Sequence, residues 1–155
     1  LAKLQSDLRE FIALLNSRKV EYLVVGGHAV AFHGHPRFTG DIDFFIRASA
    51  NNATRVLAVL GDFGFGGLGI QVDDLVAPNK IVQLGRPPSR IDILTSISGV
   101  AFDDALQTAV HGELDGQPVQ FIGWDALLTN KKASGRDKDL QDIKQLTAVA
   151  AKRKG

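Results

Sequence analysis

The chain of 155 residues has no cysteine and no methionine, and only one tryptophan, one tyrosine and five prolines. Without cysteine there can be no disulfide framework and no thiolate metal site, which fits a reducing compartment. No apolar run approaches the roughly 20 residues needed to cross a bilayer, and the N-terminus lacks the charged-then-apolar layout of a signal peptide. No membrane association is expected, and the cytoplasm is the default location. An excess of either charge is missing too. Lys and Arg number 18 against 17 Asp and Glu, a net charge of +1, so a polyanionic partner must be recognised by local groups rather than by the overall field. Because the chain opens at Leu1 and contains no methionine, its natural start is expected to lie upstream.

What is present suits a single domain spanning residues 1–155. Hydrophobic residues make up 45% of the chain, enough for one core and too short a chain for two. Leu4, Leu8, Phe11, Ile12 and Leu15 recur at helical spacing, which predicts an amphipathic helix over the first eighteen or so residues. Glu21 to Val25 reads as a buried strand ended by Gly26-Gly27, and His28 to His33 as a short helix starting on them. Asp41 to Arg47 is a second strand. Asn51 to Phe63 is a helix with Val56, Leu57, Val59 and Leu60 inward. The section from Gly61 to Gly69, with its five glycines, is expected to be loop. Lys80 to Leu84 and Arg90 to Leu94 are strands joined by a Gly-Arg-Pro-Pro turn, Phe102 to Val110 is a helix, and Asp115-Gly116 turns a hairpin. A C-terminal helical pair, about residues 124–152, breaks at Gly135, with Leu140, Ile143, Leu146 and Val149 as the inner stripe of its second member.

The chemistry gathers on two of these strands. Residues two apart on a strand point the same way, so Asp41 and Asp43 share a face with Ile42 turned to the other. Asp92, in Arg90-Ile91-Asp92-Ile93-Leu94, lies on a strand that can sit beside them. Three convergent carboxylates suit magnesium, or manganese in its place, because such ions take one or two carboxylates plus phosphate oxygens of a substrate. Two ions about 3.5–4 Å apart can stabilise the attacking and leaving oxygens of an in-line displacement. Gly26 and Gly27 let backbone approach phosphate oxygens, and Arg37 and Thr39, on the approach to Asp41, are further candidates for orienting phosphates.

Each motif alone is weak. A Gly-Gly after a strand is usually only a turn, and an Asp-x-Asp is usually a solvated strand end. Their order along the chain is what raises them to one site. The stretch Val24-Val25-Gly26-Gly27, followed by Asp41-Ile42-Asp43-Phe44, resembles the signature of the nucleotidyltransferase superfamily, whose fold is shared with DNA polymerase β. Gly-Gly-His-Ala-Val-Ala-Phe-His-Gly, then Arg37-Phe38-Thr39-Gly40-Asp41-Ile42-Asp43, is similar to small stand-alone bacterial members of abortive-infection and toxin–antitoxin systems. Their C-terminal pattern matches Lys131, Arg136 and Lys138-Asp139-Leu140-Gln141-Asp142.

The resemblance implies an α/β fold with a mixed, twisted sheet flanked by helices, and Mg-dependent transfer of a nucleoside monophosphate from a nucleoside triphosphate to a hydroxyl acceptor. It makes Asp41, Asp43 and Asp92 the catalytic metal ligands. It assigns Gly26, Gly27, His28, Arg37, Thr39, Lys131 and Arg136 to the nucleotide, with Lys131 reaching the phosphates. The acceptor is expected to be RNA or a partner protein such as an antitoxin, with a small molecule also open. Many superfamily members carry a serine just after the glycine pair where this chain has His28, so that hydroxyl contact is absent. That departure favours an alternative reading, a non-catalytic nucleotide-binding or interaction module on the same fold.

Plainer readings stand beside the rest. His28, His33 and His35 are close enough for a transition-metal cluster, yet ordinary helix-surface histidines are the better expectation. Lys131, Lys132, Arg136 and Lys138 form either a polyanion patch or a solvated face, with Asp139 and Asp142 pairing to them across helical spacings. Trp124 is expected to anchor packing.

Overall fold

The computed structural model describes residues 2–37, 39–86 and 89–154. The first helix, α1 (Ala2–Ser17), buries Phe11, Ile12 and Leu15 completely or nearly so. It leads to β1 (Tyr22–Val25), whose four apolar residues are all buried. The glycines expected to precede the next helix lie inside its first turn, since α2 runs Gly26–Phe32. Then come β2 (Asp41–Ile46) and α3 (Ala50–Asp62). Along β2, Ile42, Phe44 and Ile46 alternate with Asp41, Asp43 and Phe45. The first set faces the core, where Phe44 meets Phe11 of α1 with the rings 5.7 Å apart, and the second leaves both acids on the opposite face.

Asn52, buried at the start of α3, fastens the end of the sheet remote from those acids. Its Oδ1 accepts from Glu21 N at 2.8 Å, while its Nδ2 donates to Glu21 O at 3.0 Å and Arg47 O at 2.9 Å. The start of β1 and the exit from β2 are thereby held together by a fully satisfied amide.

The glycine-rich middle section contains more structure than expected: a 3-10 turn (Gly66–Leu68) and a short helix, α4 (Val72–Val76), closed by a capping box between Gln71 and Asp74. Strands β3 (Ile81–Arg86) and β4 (Ser89–Leu94) follow as an antiparallel pair. The prolines of the expected turn, 87 and 88, lie outside the described residues. Helix α5 (Phe102–Gln107) is shorter than anticipated, because Val110 opens β5 (Val110–Leu114) instead of ending the helix. The hairpin to β6 (Gln117–Phe121) turns at Asp115 and Gly116, both left-handed at φ 53° and 81°, the pairing that matches the twist of the flanking strands. Helices α6 (Trp124–Ser134) and α7 (Asp137–Lys154) complete the chain.

The six strands form one mixed sheet in the order β3-β4-β2-β1-β6-β5, with β4 parallel to β2 and β6 parallel to β1. This agrees with the expected mixed sheet flanked by helices. One helix face does not agree. Leu140, assigned to the inner stripe of α7, is 54% exposed, while Asp139 and Asp142 are buried beside Leu146. Among the described residues, no helix is long and apolar enough to cross a membrane.

Candidate active site

The parallel ladder between β2 and β4 aligns Asp41 with Arg90 and Asp43 with Asp92. Side chains at aligned positions of a parallel pair project to the same face, so Asp41, Asp43, Arg90 and Asp92 form a compact square at the sheet surface. Asp92 is buried, and the Asp41 side chain is 39% exposed. Arg90 binds two of the three. Its Nη2 donates to Asp41 Oδ2 and Asp92 Oδ2, both at 3.1 Å, and its Nε donates to Asp92 Oδ1 at 2.8 Å. The Asp41 and Asp92 oxygens that share one nitrogen can therefore be no further apart than twice that distance.

Asp43 stands differently. Its carboxyl is pushed up from 3.8 to about 6, chiefly by burial and then by the charges of Asp92 and Asp41, with Lys131 and Lys138 pulling the other way. It packs against Gly26, and a Cβ on that residue would collide with its carboxylate. Gly26 also holds φ at 68°, a left-handed conformation that glycine adopts without strain. At Gly27 an added Cβ would lie 2.9 Å from Thr39 Oγ1 and 3.4 Å from Arg37 Nη2. The turn thus forms a floor between the acids and the Arg37–Thr39 segment, with Thr39 Oγ1 donating to Asp41 O at 3.0 Å. His28, in the first turn of α2, has its pKa lowered by burial and by the nearby Arg37 charge.

The expected nucleotide-binding cations are all engaged by acids of α7. Lys131, buried on α6, places Nζ 3.1 Å from Asp139 and 3.0 Å from Asp142. Arg37 reaches Asp142 at 3.1 Å, and its Nε is buried without a hydrogen-bond partner among the described residues. Arg136 donates to Asp139 at 2.8 Å from a side chain that is 70% exposed. Burial alone would raise the pKa of Asp139, but hydrogen bonds from Arg136, Ser134 and Lys131 outweigh it and hold the carboxyl well below the usual range. Pairing of Asp139 and Asp142 with Lys131 and Arg136 was expected; their burial was not, nor the Arg37 contact, nor the bridge that Lys131 makes between the two helices.

The expectation of helix-surface histidines fails at His33. His33 lies in the interior, with Nε2 2.7 Å from Ile122 O and its ring edge-on to Trp124 at 5.8 Å. Among the described residues no group of three or more His, Asp or Glu is placed to hold a metal ion, Asp41, Asp43 and Asp92 included. Arg90 lies between Asp41 and Asp92 as a cation hydrogen-bonded to both. That stand-in charge, the all-oxygen donor set and the side-chain-free floor at Gly26 and Gly27 fit a divalent metal with a phosphate ligand. A cavity of about 340 Å³ lies elsewhere, at the other end of β1, lined by Asn16, Tyr22, His111 and neighbours. It holds none of these acids.

A family profile described as nucleotidyl transferase of unknown function (DUF2204) matches residues 4–155. The chain belongs to this nucleotidyl transferase family. Among solved structures, an antigenic nucleotidyltransferase-like protein from Paracoccidioides brasiliensis is similar to it at 21% identity and a TM-score of 0.54, over 94% of this chain and 76% of that chain. At that identity the likeness shows a shared fold. No curated protein matches the chain. Two residues of this nucleotidyl transferase were not singled out from its sequence as parts of the site: Arg90 and Asp142. Arg90 carried a usable signal, since it precedes Asp92 by two on a strand and so must share its face. Asp142 closes the Lys138-Asp139-Leu140-Gln141-Asp142 run of the C-terminal pattern, but nothing local points to its contact with Arg37.

Proposed function

We propose that this protein transfers a nucleoside monophosphate from a nucleoside triphosphate to a hydroxyl acceptor. The observation that carries the reading is the register of β2 and β4, which brings Asp41, Asp43 and Asp92 onto one face beside the Gly26-Gly27 floor. The acceptor oxygen forms a bond to the α-phosphorus, the bond between the α-phosphorus and the bridging oxygen breaks, and pyrophosphate leaves. Asp41, Asp43 and Asp92 would hold magnesium, which when bound neutralises charge on the phosphates and on the reacting oxygens. Asp92 stands on the acceptor side and takes part in removing the hydroxyl proton. Backbone at Gly26 and Gly27 receives the triphosphate, with the Arg37 guanidinium beside it.

Arg37 is held in that place by Asp142, and Asp142 is held by Lys131. On this reading Lys131 supports the phosphate floor through Arg37 instead of touching the nucleotide. The resemblance to abortive-infection and toxin–antitoxin enzymes favours RNA or a partner protein as acceptor, in a defence role. The second reading, a binding module without catalysis, draws on His28 in place of the serine hydroxyl and on the carboxylates being engaged by Arg90. One experiment separates the two. The protein is incubated with magnesium, each labelled nucleoside triphosphate and total cellular RNA or lysate, beside an Asp41→Ala/Asp43→Ala control. Label on a macromolecule that disappears in the control supports transfer. Nucleotide binding with no label transferred sinks the enzymatic reading.

A further inference from the structure

Arg90 faces Asp41 across the parallel ladder and precedes Asp92 by two residues, so the pleat of β4 sends its side chain to the face that carries all three acids. One nitrogen, Nη2, lies 3.1 Å from an oxygen of Asp41 and 3.1 Å from an oxygen of Asp92, and Nε takes the other Asp92 oxygen at 2.8 Å. Three of the four oxygens on these two carboxylates therefore already serve a cation. A guanidinium cannot give up its charge by deprotonation, so a metal can take these oxygens only if the side chain moves.

We propose that Arg90 is a resident cation that competes with divalent metal for Asp41 and Asp92, so that metal and nucleoside triphosphate load together and metal alone binds poorly. The inference rests on the reading of Asp41, Asp43 and Asp92 as metal ligands. Two features of the structure support it. The Arg90 side chain is 24% exposed, so it has solvent into which to swing. Once displaced it needs another anion, and a triphosphate entering over Gly26 and Gly27 supplies one in a form suited to the guanidinium fork. The cost of moving Arg90 is thus smallest when the nucleotide is present. By linkage, nucleotide then tightens metal by the same factor as metal tightens nucleotide. The arrangement also offsets one unit of the charge on Asp41 and Asp92 while no metal is bound.

The test is Mn²⁺ binding to the full chain without nucleotide, followed by the electron paramagnetic resonance of free Mn²⁺. Removing a unit charge about 4 Å from a divalent ion is worth roughly tenfold in affinity even with water-like screening and moderate salt. Arg90→Gln is therefore expected to bind Mn²⁺ about tenfold more tightly than the wild type. Arg90→Lys, which keeps the charge but loses the fork, should fall between the two. It also serves as the readout if the Gln variant does not fold. Addition of Mn²⁺ should raise the melting temperature of Arg90→Gln by more than that of the wild type. An Arg90→Gln protein that binds Mn²⁺ no tighter than wild type, while Asp92→Asn abolishes binding, overturns the resident cation and leaves Arg90 as a strut. If Asp92→Asn binds Mn²⁺ as the wild type does, the metal reading of the site falls and the inference falls with it.

Discussion

Replacing Asp43 by Asn should make the metal-free protein more stable above about pH 4, with the full gain reached near pH 6. Asp43 has its carboxyl pushed from 3.8 to about 6 by burial and by Asp92 and Asp41. The native state therefore holds a proton that the unfolded chain has already released, so stability is lost as pH rises through about 6. The interval between those two values corresponds to ~3 kcal/mol. Solvent access at the sheet surface reduces this to about 2 kcal/mol. Asparagine has the same shape beside Gly26 and no charge to develop. Urea denaturation of chelator-treated protein should show wild type and Asp43→Asn equally stable at pH 4, with the variant ahead by about 2 kcal/mol at pH 8. The gap should open between about pH 4 and pH 6 and stay level above that. A gain of the same size at both pH values, or a variant less stable than wild type at pH 8, would refute the idea that this carboxylate is held against its own electrostatics. The same variant should lose Mn²⁺ binding, which would identify the cost as one borne for the site.

Gly26→Ala should lose about 3 kcal/mol or more, because a left-handed backbone and a collision with the Asp43 carboxylate add together; Gly26→Ala/Asp43→Ala should recover part of the loss in the same denaturation assay. Lys131→Met should cost ~3–5 kcal/mol by leaving Asp139 and Asp142 buried without their shared cation. Unchanged stability with weakened triphosphate binding would instead restore Lys131 as a direct phosphate ligand. Leu140→Gln should shift stability by no more than about 0.5 kcal/mol, whereas Leu146→Ala should cost ~2–5 kcal/mol, a contrast that urea titration reads directly.

The parts of this fold legible in the sequence are those where a local pattern carries the physics. The Ile42, Phe44, Ile46 alternation places both acids of β2 on one face before any partner strand is known, and the Val56, Val59, Leu60 spacing does the same for α3. Asp115-Gly116 encodes its own turn. The failures are positions decided by distant residues. Val110 follows Phe102 to Gln107 with no glycine or proline between them, so nothing local says that the helix ends and an edge strand begins. Leu140 looks like core and Asp139 and Asp142 look like surface until Lys131, Arg37 and Arg136 arrive to balance the two acids. A buried pair of aspartates is a property of the α6–α7 packing, not of α7. His33 is similar, since its carbonyl partner at Ile122 comes from beyond β6. For the site, spacing yielded the three aspartates and the glycine floor as candidates. The spacing of Arg90 and Asp92 puts both on one face, but the contact of Arg90 with Asp41 follows only from the β2–β4 register, which no local pattern gives.

The ladder that aligns Asp41 with Arg90 and Asp43 with Asp92 is set by hydrogen bonds between backbones, and the length of chain connecting the two strands does not enter into it. Doubling such a connection costs only about 0.6 kcal/mol in closure entropy. Gly64, Gly67 and Gly69 have open space around them, and Leu68 beside them is 57% exposed. A reporter peptide or fluorophore spliced in near Gly67 would therefore ride on the outside of the sheet without disturbing the four aligned residues, giving a handle for watching ligands arrive at a site it does not touch.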